Sequence, residues 1–245
     1  MRKNAYIWDM PRGANRRDMQ KNKTPTKLLL QEMETKRKRG KDINKGRNRL
    51  MKHFITFEGI DGSGKTTISK LVYNMLKKEG YNVVLTYEPT DTWIGKYVQK
   101  CIKNSSDPFI TAFTFIADRI QHCRQIKEWL NNGKIVLCDR YAESTYAYQG
   151  VQLQNKIKDP IKWLQDLSHK NILTPDRTFL FIIKPEESLA RIQHRKNLIP
   201  FEQISFLEKV QQNYLKLAHE KRFIKLDATE KKEKLAEKCY RDILS

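Results

Sequence analysis

Glycines, a lysine and two threonines follow a short apolar run in the stretch FITFEGIDGSGKTT, residues 54–67. Their spacing matches the pattern G-x-x-x-x-G-K-[ST], which here runs from Gly59 to Thr66. Glycines let successive backbone N–H groups turn inward as an anion-binding nest, and the start of a following helix adds its positive dipole end. The stretch therefore predicts a loop that binds nucleotide phosphates.

This chemistry assigns roles within the loop and to one acid outside it. Lys65 is expected to reach the β- and γ-phosphates, and the Thr66 hydroxyl to coordinate Mg²⁺. Asp139 ends the apolar run IVLCD and is the predicted second Mg²⁺ ligand. The residues predicted to bind the nucleoside triphosphate are Gly59, Ile60, Asp61, Gly62, Ser63, Gly64, Lys65, Thr66 and Thr67.

A cation follows the predicted magnesium ligand directly. Arg140 stands where an open sheet places its ligands, so it would neutralise a phosphoryl group in transfer. The guanine signature N-K-x-D is absent, because the run 155–159 (NKIKD) has one residue too many. These features disfavour a GTPase switch. A negative charge inside the phosphate loop, at Asp61, needs a separate explanation.

Strand-like and helix-like segments alternate from His53 onward, which predicts a three-layer α/β fold with a parallel sheet and helices on both faces. The predicted strands are 54–58, 82–87, 134–138, 177–183 and 223–226. The predicted helices are 65–79, 93–102, 108–130, 160–169, 185–195, 202–219 and a basic helix at the end of the chain. The segment that follows the third strand is predicted to be a loop.

Several motifs in one order resemble the thymidylate kinases. After the phosphate loop come Glu88-Pro89, then FIADRIQH at 115–122, DRYAESTYAYQG at 139–150, PEESLAR at 185–191 and Phe201-Glu202. The resemblance spans residues 53–243. It implies the fold of the P-loop nucleoside monophosphate kinases, with a five-stranded parallel sheet and a short lid. It also implies phosphorylation of dTMP to dTDP with ATP and Mg²⁺, in the synthesis of dTTP.

The resemblance also implies roles for single residues. Phe115 is similar to the aromatic residue that stacks on thymine, Arg119 to the one that binds a base carbonyl, and Tyr148 to the ring under the sugar, which excludes a 2′-hydroxyl. Asp61 would bind the 3′-hydroxyl, and Arg140 would hold the acceptor phosphate. The implied dTMP site also includes Glu88, whose role stays open, and Ser144, Thr145 and Gln149.

From the residues alone, Phe115 has an alternative assignment, whereas Arg119 is harder to assign to the core. Phe115 shares a helix turn with Phe113 and Ile116, so without the resemblance we would assign it to the core. Arg119 lies in an apolar run, and a buried guanidinium requires a partner.

The lid is predicted from the placement of arginines. The phosphate loop contains no arginine, whereas the segment after Pro185 offers Arg191 and Arg195. Members of the resembling family bring an arginine to the transferred phosphoryl group either from the phosphate loop or from the lid. The predicted catalytic residues are therefore Lys65, Arg140, Arg191 and Arg195, with a solvated helix face as the alternative for Arg195.

Positive charge is concentrated at the start of the chain. The net charge is +20, and residues 1–50 hold 16 Lys and Arg against 5 Asp and Glu. We expect a disordered basic extension at 1–50 and a kinase domain at 51–245. Three interpretations of the extension stay open: an arm for nucleic acid or an anionic surface, an import signal, or an upstream start with translation beginning at Met51.

Other expectations concern location, assembly and competing functions. No apolar stretch is long enough for a membrane span, and four scattered cysteines fit a reducing cytoplasm. The resemblance implies a homodimer through the first helix and the 108–130 helix. The alternatives to dTMP phosphorylation are a kinase for another (deoxy)nucleoside monophosphate, and a P-loop ATPase whose basic tail binds nucleic acid.

Overall fold

The computed structural model describes residues 53–192 and 204–245. The predicted extension at 1–50, the start at Met51, the lid residue Arg195 and the motif Phe201-Glu202 lie outside the described residues. Within the described ranges there are five strands. They are β1 Phe54–Gly59, β2 Val83–Tyr87, β3 Ile135–Asp139, β4 Arg177–Ile182 and β5 Phe223–Asp227.

Eight α-helices lie in the same described ranges. They are α1 Lys65–Lys78, α2 Trp93–Lys103, α3 Pro108–Asn131, α4 Ala142–Gln152, α5 Pro160–Ser168, α6 Pro185–Ile192, α7 Ile204–Leu217 and α8 Lys232–Ile243. None of the helices in these ranges is both long enough and apolar enough to cross a membrane.

All five strands are parallel, in the order β2-β3-β1-β4-β5. The predicted five-stranded parallel sheet is thereby confirmed. Strand β1 lies at the centre and is buried along its whole length. Because Phe57 of β1 is in register with Asp139 of β3, the phosphate loop after β1 begins beside that acid.

Alternating side chains of the strands pack against helices on opposite faces of the sheet. On one face, Ile55 and Leu137 join a buried cluster with Val72 and Leu76 of α1. On the other, Phe54 packs in a cluster that holds residues of α3 and α4. The strands consequently read as apolar runs, which is why the sequence predicts them well.

One helix was wrongly predicted to be a loop. Helix α4 has the sequence AESTYAYQGVQ, and every residue from Ala142 to Val151 is buried. A helix that is enclosed on all sides has no polar stripe, so the 3.6-residue periodicity that reveals surface helices is missing. In addition, the residue before it, Tyr141, forms no side-chain cap. The sequence therefore lacks a local start signal.

Candidate active site

The phosphate loop turns sharply between β1 and α1. Gly62 and Gly64 have φ angles of 79° and 90°, in the left-handed region that favours glycine. Gly62 is also crowded, because a Cβ atom there would collide with the carbonyl of Ser188 in α6. The Ser188 hydroxyl donates a hydrogen bond to the Asp61 carbonyl. The loop is thus held against α6 on its outer side.

The loop lysine is buried at the start of α1. Lys65 is only 4% exposed, and its Nζ donates to the Ile60 carbonyl at 3.2 Å. Burial, and then the nearby Arg140 guanidinium, lower the pKa of Lys65 to about 8. An anionic phosphate would be a far better partner for this ammonium than a neutral carbonyl.

Thr66 and Asp139 meet next to the loop. The Thr66 hydroxyl donates to Asp139 Oδ2 at 2.5 Å, and the buried Oδ1 has no hydrogen-bonding partner among the described residues. A hydroxyl and a half-satisfied carboxylate are oxygen ligands suited to Mg²⁺. No cluster of three or more acids, histidines or cysteines in the described parts of the chain forms an all-protein metal cage. These two residues therefore fit a Mg²⁺ that takes its other ligands from phosphate and water.

Two cavities flank the phosphate loop. The groove on one side is lined by loop residues 61–68 together with Arg140, Arg191, Ile192, Ala228, Glu230, Lys232 and Leu235. The cleft on the other side is lined by Asp61, Glu88, Pro89, Ile102, Phe115, Arg119, Arg140, Tyr141, Ser144, Tyr148 and Gln149. Asp61 and Arg140 line both cavities. Any group that passes between the two cavities would move past this pair.

Arg140 and Asp61 form an ion pair at this junction. Arg140 Nη2 donates to Asp61 Oδ1, while its Nη1 donates to the Ser144 hydroxyl at 3.1 Å. Tyr148 donates its hydroxyl proton to Asp61 Oδ2 at 3.0 Å. Although burial by itself would raise the pKa of Asp61, the cations Arg140 and Lys65 hold it at about 2. Asp61 is therefore a carboxylate at neutral pH.

Arg119 is fully buried in the floor of the cleft, and it has the partner that the sequence required. Its Nε donates to Glu88 Oε2 at 2.8 Å, and Nη2 donates to the Tyr141 carbonyl and to the Thr145 hydroxyl. Glu88 also contacts His122 Nδ1 at 3.0 Å. The remaining nitrogen, Nη1, is buried without a partner among the described residues.

The same cleft is also lined by a residue with a buried hydrogen-bond acceptor, Gln149. Gln149 of α4 is 3% exposed, and its Oε1 has no hydrogen-bonding partner in the described part of the chain. Phe115 is half-buried and lines the same cleft. Unpaired buried polar groups are rare in folded proteins, so a donor and an acceptor in one cleft indicate a ligand with complementary groups.

The structure brings most of the predicted site residues together, with two differences. Thr145 does not line the cleft, because its hydroxyl accepts from Arg119. Glu88 lines the cleft but its carboxylate is already paired with Arg119 and His122. Arg191 lies on the loop side, where its Nη2 donates to the Ala228 carbonyl at 3.1 Å.

Sequence reasoning missed one buried acid of the site. Glu58 directly precedes Gly59 and is 0% exposed. The signal was present, since a carboxylate at the end of an apolar central strand needs several hydrogen-bond donors. Its donors lie more than 80 residues away in sequence, so no local pattern identifies them.

The phosphate loop and the second cleft lie at the carboxyl edge of a parallel sheet, and one carboxylate–guanidinium pair lines both. This arrangement defines a P-loop kinase with a small-molecule acceptor. Comparison with known sequences specifies the class. The family model "Thymidylate kinase" matches residues 57–239. The chain belongs to the thymidylate kinase family.

Curated relatives agree with this assignment. A probable thymidylate kinase of Sulfurisphaera tokodaii is 43% identical over 195 residues, which is 80% of this chain and 97% of that protein. The probable thymidylate kinase of Methanosarcina barkeri is 44% identical over 139 residues, 56% of this chain and 68% of the relative. A thymidylate kinase of Exiguobacterium sp. is 40% identical over 144 residues, 57% and 67% of the two chains.

Proposed function

We propose that this enzyme phosphorylates dTMP to dTDP, with ATP as the donor. The observation that carries the proposal is that the cleft is lined by both Arg119 and Gln149, whose buried Nη1 donor and Oε1 acceptor have no partners among the described residues. Thymine presents a carbonyl oxygen next to a ring N–H, which complements this pair. Cytosine in the same orientation would place its amino group at the Arg119 donor and its unprotonated ring nitrogen at the Gln149 acceptor, which would leave both protein groups unpaired.

The same cleft suits the sugar and phosphate of a deoxynucleotide. Phe115 offers a ring face for stacking on the base, and Ser144 adds a hydroxyl. Tyr148 would support the sugar and exclude a 2′-hydroxyl, as the family resemblance implies. The ionised Asp61 would accept a hydrogen bond from the 3′-hydroxyl, which explains an acid in a phosphate loop. Arg140 would hold the acceptor phosphate.

Phosphoryl transfer requires alignment and charge neutralisation rather than covalent chemistry by the protein. The backbone N–H groups of residues 59–67 and the Lys65 ammonium would bind the ATP phosphates. Arg140 lies between the cavities and would contact both the acceptor phosphate and the group in transfer. Arg191 would add positive charge from the loop side. Arg195 has the same proposed role but lies outside the described residues.

Mg²⁺ would be held by Thr66 and Asp139, and when bound it would neutralise charge on the donor phosphates. The short Thr66–Asp139 hydrogen bond and the unpaired Asp139 Oδ1 support this proposal. Thr66 and Asp139 also fix the end of the loop relative to β3, so they would orient the phosphates toward Arg140.

Two further proposals concern assembly and location. The family resemblance favours a homodimer that involves α1 and α3, and light scattering of the purified protein would test it. A cytoplasmic location is supported by four cysteines that are all free and buried. Binding of nucleic acid or an anionic surface would involve residues 1–50 alone.

The test is an ADP-release assay with a panel of acceptors. We expect dTMP to give the highest kcat/KM, dUMP a lower value, and dCMP and ribothymidine monophosphate little turnover. The panel is run on the full chain and on a version that starts at Met51, which we expect to behave alike. Turnover that is stimulated by DNA or RNA and indifferent to dTMP would instead support the ATPase alternative.

A further inference from the structure

The carboxylate of Glu58 is enclosed by donors from two distant helices. Its Oε1 accepts hydrogen bonds from the backbone N–H groups of Tyr141 at 2.7 Å and Ser144 at 3.3 Å. Its Oε2 accepts from the Ser144 hydroxyl at 2.6 Å and from the Tyr214 hydroxyl at 3.0 Å. Three of these four donors come from a single turn of the chain. They offset only part of the cost of burial, because burial, and then the nearby Glu143 carboxylate, raise the pKa of Glu58 to about 7.

That turn is the beginning of α4, which lacks a cap of its own. Tyr141 is the N-cap residue and makes no side-chain cap, because its hydroxyl contacts Cys123 Sγ and accepts from the Leu173 N–H. Ser144 is the third residue of the helix. A capping box satisfies these same two N–H positions with side chains from the helix itself. Here the Glu58 side chain of β1 satisfies both, and in its ionised form it also complements the positive end of the helix dipole.

The capped turn determines where Arg140 lies. Arg140 links β3 to α4 with a φ of 69°, a left-handed conformation that is strained for an arginine. Such strain persists only where neighbouring contacts hold the backbone. The Arg140 N–H donates to the Phe57 carbonyl at 3.0 Å, and its side chain donates to the same Ser144 hydroxyl that contacts Glu58. Glu58 therefore constrains Arg140 through the residue that follows it and through Ser144.

We propose that Glu58 is a positioning residue: by capping α4 from the strand that enters the phosphate loop, it sets the distance between the donor phosphates and the acceptor-binding groups. Those groups are Arg140 and the α4 side chains Ser144, Tyr148 and Gln149. The inference deepens the proposed kinase function and rests on it. It predicts that Glu58 acts on acceptor use and turnover while it contacts neither substrate.

The test compares Glu58→Gln with Glu143→Gln. Glu143 is a matched control because it is a buried acid in the same first turn of α4, with its carboxylate paired to Arg222 Nη2 at 2.7 Å instead of to the helix N–H groups. In Glu58→Gln, the amide oxygen can keep the two backbone N–H groups, but the amide NH2 then faces the Ser144 and Tyr214 hydroxyls, which would have to accept instead of donate. We expect its kcat/KM for the acceptor to fall about 10- to 100-fold, because small displacements of reacting groups are costly. We expect its KM for ATP to stay within about threefold of wild type.

Glu143→Gln is expected to lower the melting temperature but to leave the KM of both substrates unchanged. Tyr214→Phe serves as a second variant if Glu58→Gln does not fold, because it removes one donor to Glu58 Oε2 from a residue that does not line the acceptor cleft. We expect it to lower kcat several-fold with a near-native melting temperature. The proposal is overturned if Glu58→Gln and Glu143→Gln lose the same fraction of kcat/KM for the acceptor. It is also overturned if the acceptor kinetics of folded Glu58→Gln or Tyr214→Phe are unchanged. The variants are assayed with whichever monophosphate the wild type prefers, so a wrong substrate assignment is recognised separately.

Discussion

Replacing Asp61 by asparagine should impair the use of dTMP without weakening the use of ATP. The substitution keeps the size of the side chain but removes the negative charge that contacts Arg140 and Tyr148 and lies 3.8 Å from Lys65 Nζ. If Asp61 binds the 3′-hydroxyl, the acceptor loses a hydrogen bond to a charged group. Such a bond is worth about 1.5–3 kcal/mol, so kcat/KM for dTMP should fall about 10- to 100-fold.

The effect on ATP follows from the distance to the lysine. At 3.8 Å, the attraction between Asp61 and Lys65 is about 1 kcal/mol at the dielectric constant of water and about 4 kcal/mol at an effective value of 20. Without that competing anion, Lys65 is more available to phosphate. Asp61 also raises the pKa of Lys65, so the comparison is made at a pH well below 8, where the ammonium of the variant stays charged. There the KM for ATP should stay the same or decrease.

Steady-state kinetics with each substrate varied in turn measure both effects. The control is Tyr148→Phe, which removes the hydroxyl partner of Asp61 but leaves its charge and its ion pair with Arg140. It should weaken dTMP use less than Asp61→Asn does. An Asp61→Asn enzyme whose KM rises more for ATP than for dTMP would refute the assignment of Asp61 to the acceptor sugar.

Three other perturbations test separate parts of the site. Arg140→Ala should lower kcat by about 10²–10³ and change the KM for ATP far less, and near-normal turnover at saturating dTMP would exclude its role in transfer. Because burial lowers the pKa of Lys65 to about 8, the free enzyme loses this charge as the pH rises. The kcat/KM for ATP should therefore decrease above about pH 8, whereas Lys65→Arg, always charged, should show no such decrease even if it is less active. Gly62→Ala should reduce the melting temperature more than Gly64→Ala, because both positions have positive φ but only at residue 62 would the new Cβ collide with Ser188. Equal reductions would show that backbone strain alone is responsible.

The sequence predicts the central sheet and the loop because their signals are local. Strands buried on both faces read as apolar runs, and Lys65 and Thr66 occupy fixed places in a short pattern. Asp139 could be predicted because it ends such a strand. The structure adds that its hydrogen bond joins it to Thr66.

The acceptor cleft depends on contacts between segments that are distant in sequence, so much of it cannot be predicted from local sequence patterns. Helix α4 is enclosed and capped from β1, so neither its periodicity nor its start is visible locally. Arg119 was expected to need a partner, but nothing in the sequence identifies Glu88 as that partner. The proposed roles of Phe115 and Gln149 rest first on the family resemblance, since from the sequence alone they would be assigned to the core and to a loop.

The most direct test of a two-substrate site is an experimental structure with dTMP and a non-hydrolysable ATP analogue. We predict that the thymine ring packs against Phe115 and that its carbonyl accepts a hydrogen bond from Arg119 Nη1. The 3′-hydroxyl should contact Asp61, and Arg140 should contact both the phosphate of dTMP and the terminal phosphate of the ATP analogue. A dTMP bound elsewhere, or an ATP analogue that fills the cleft lined by Arg119 and Gln149, would contradict the account.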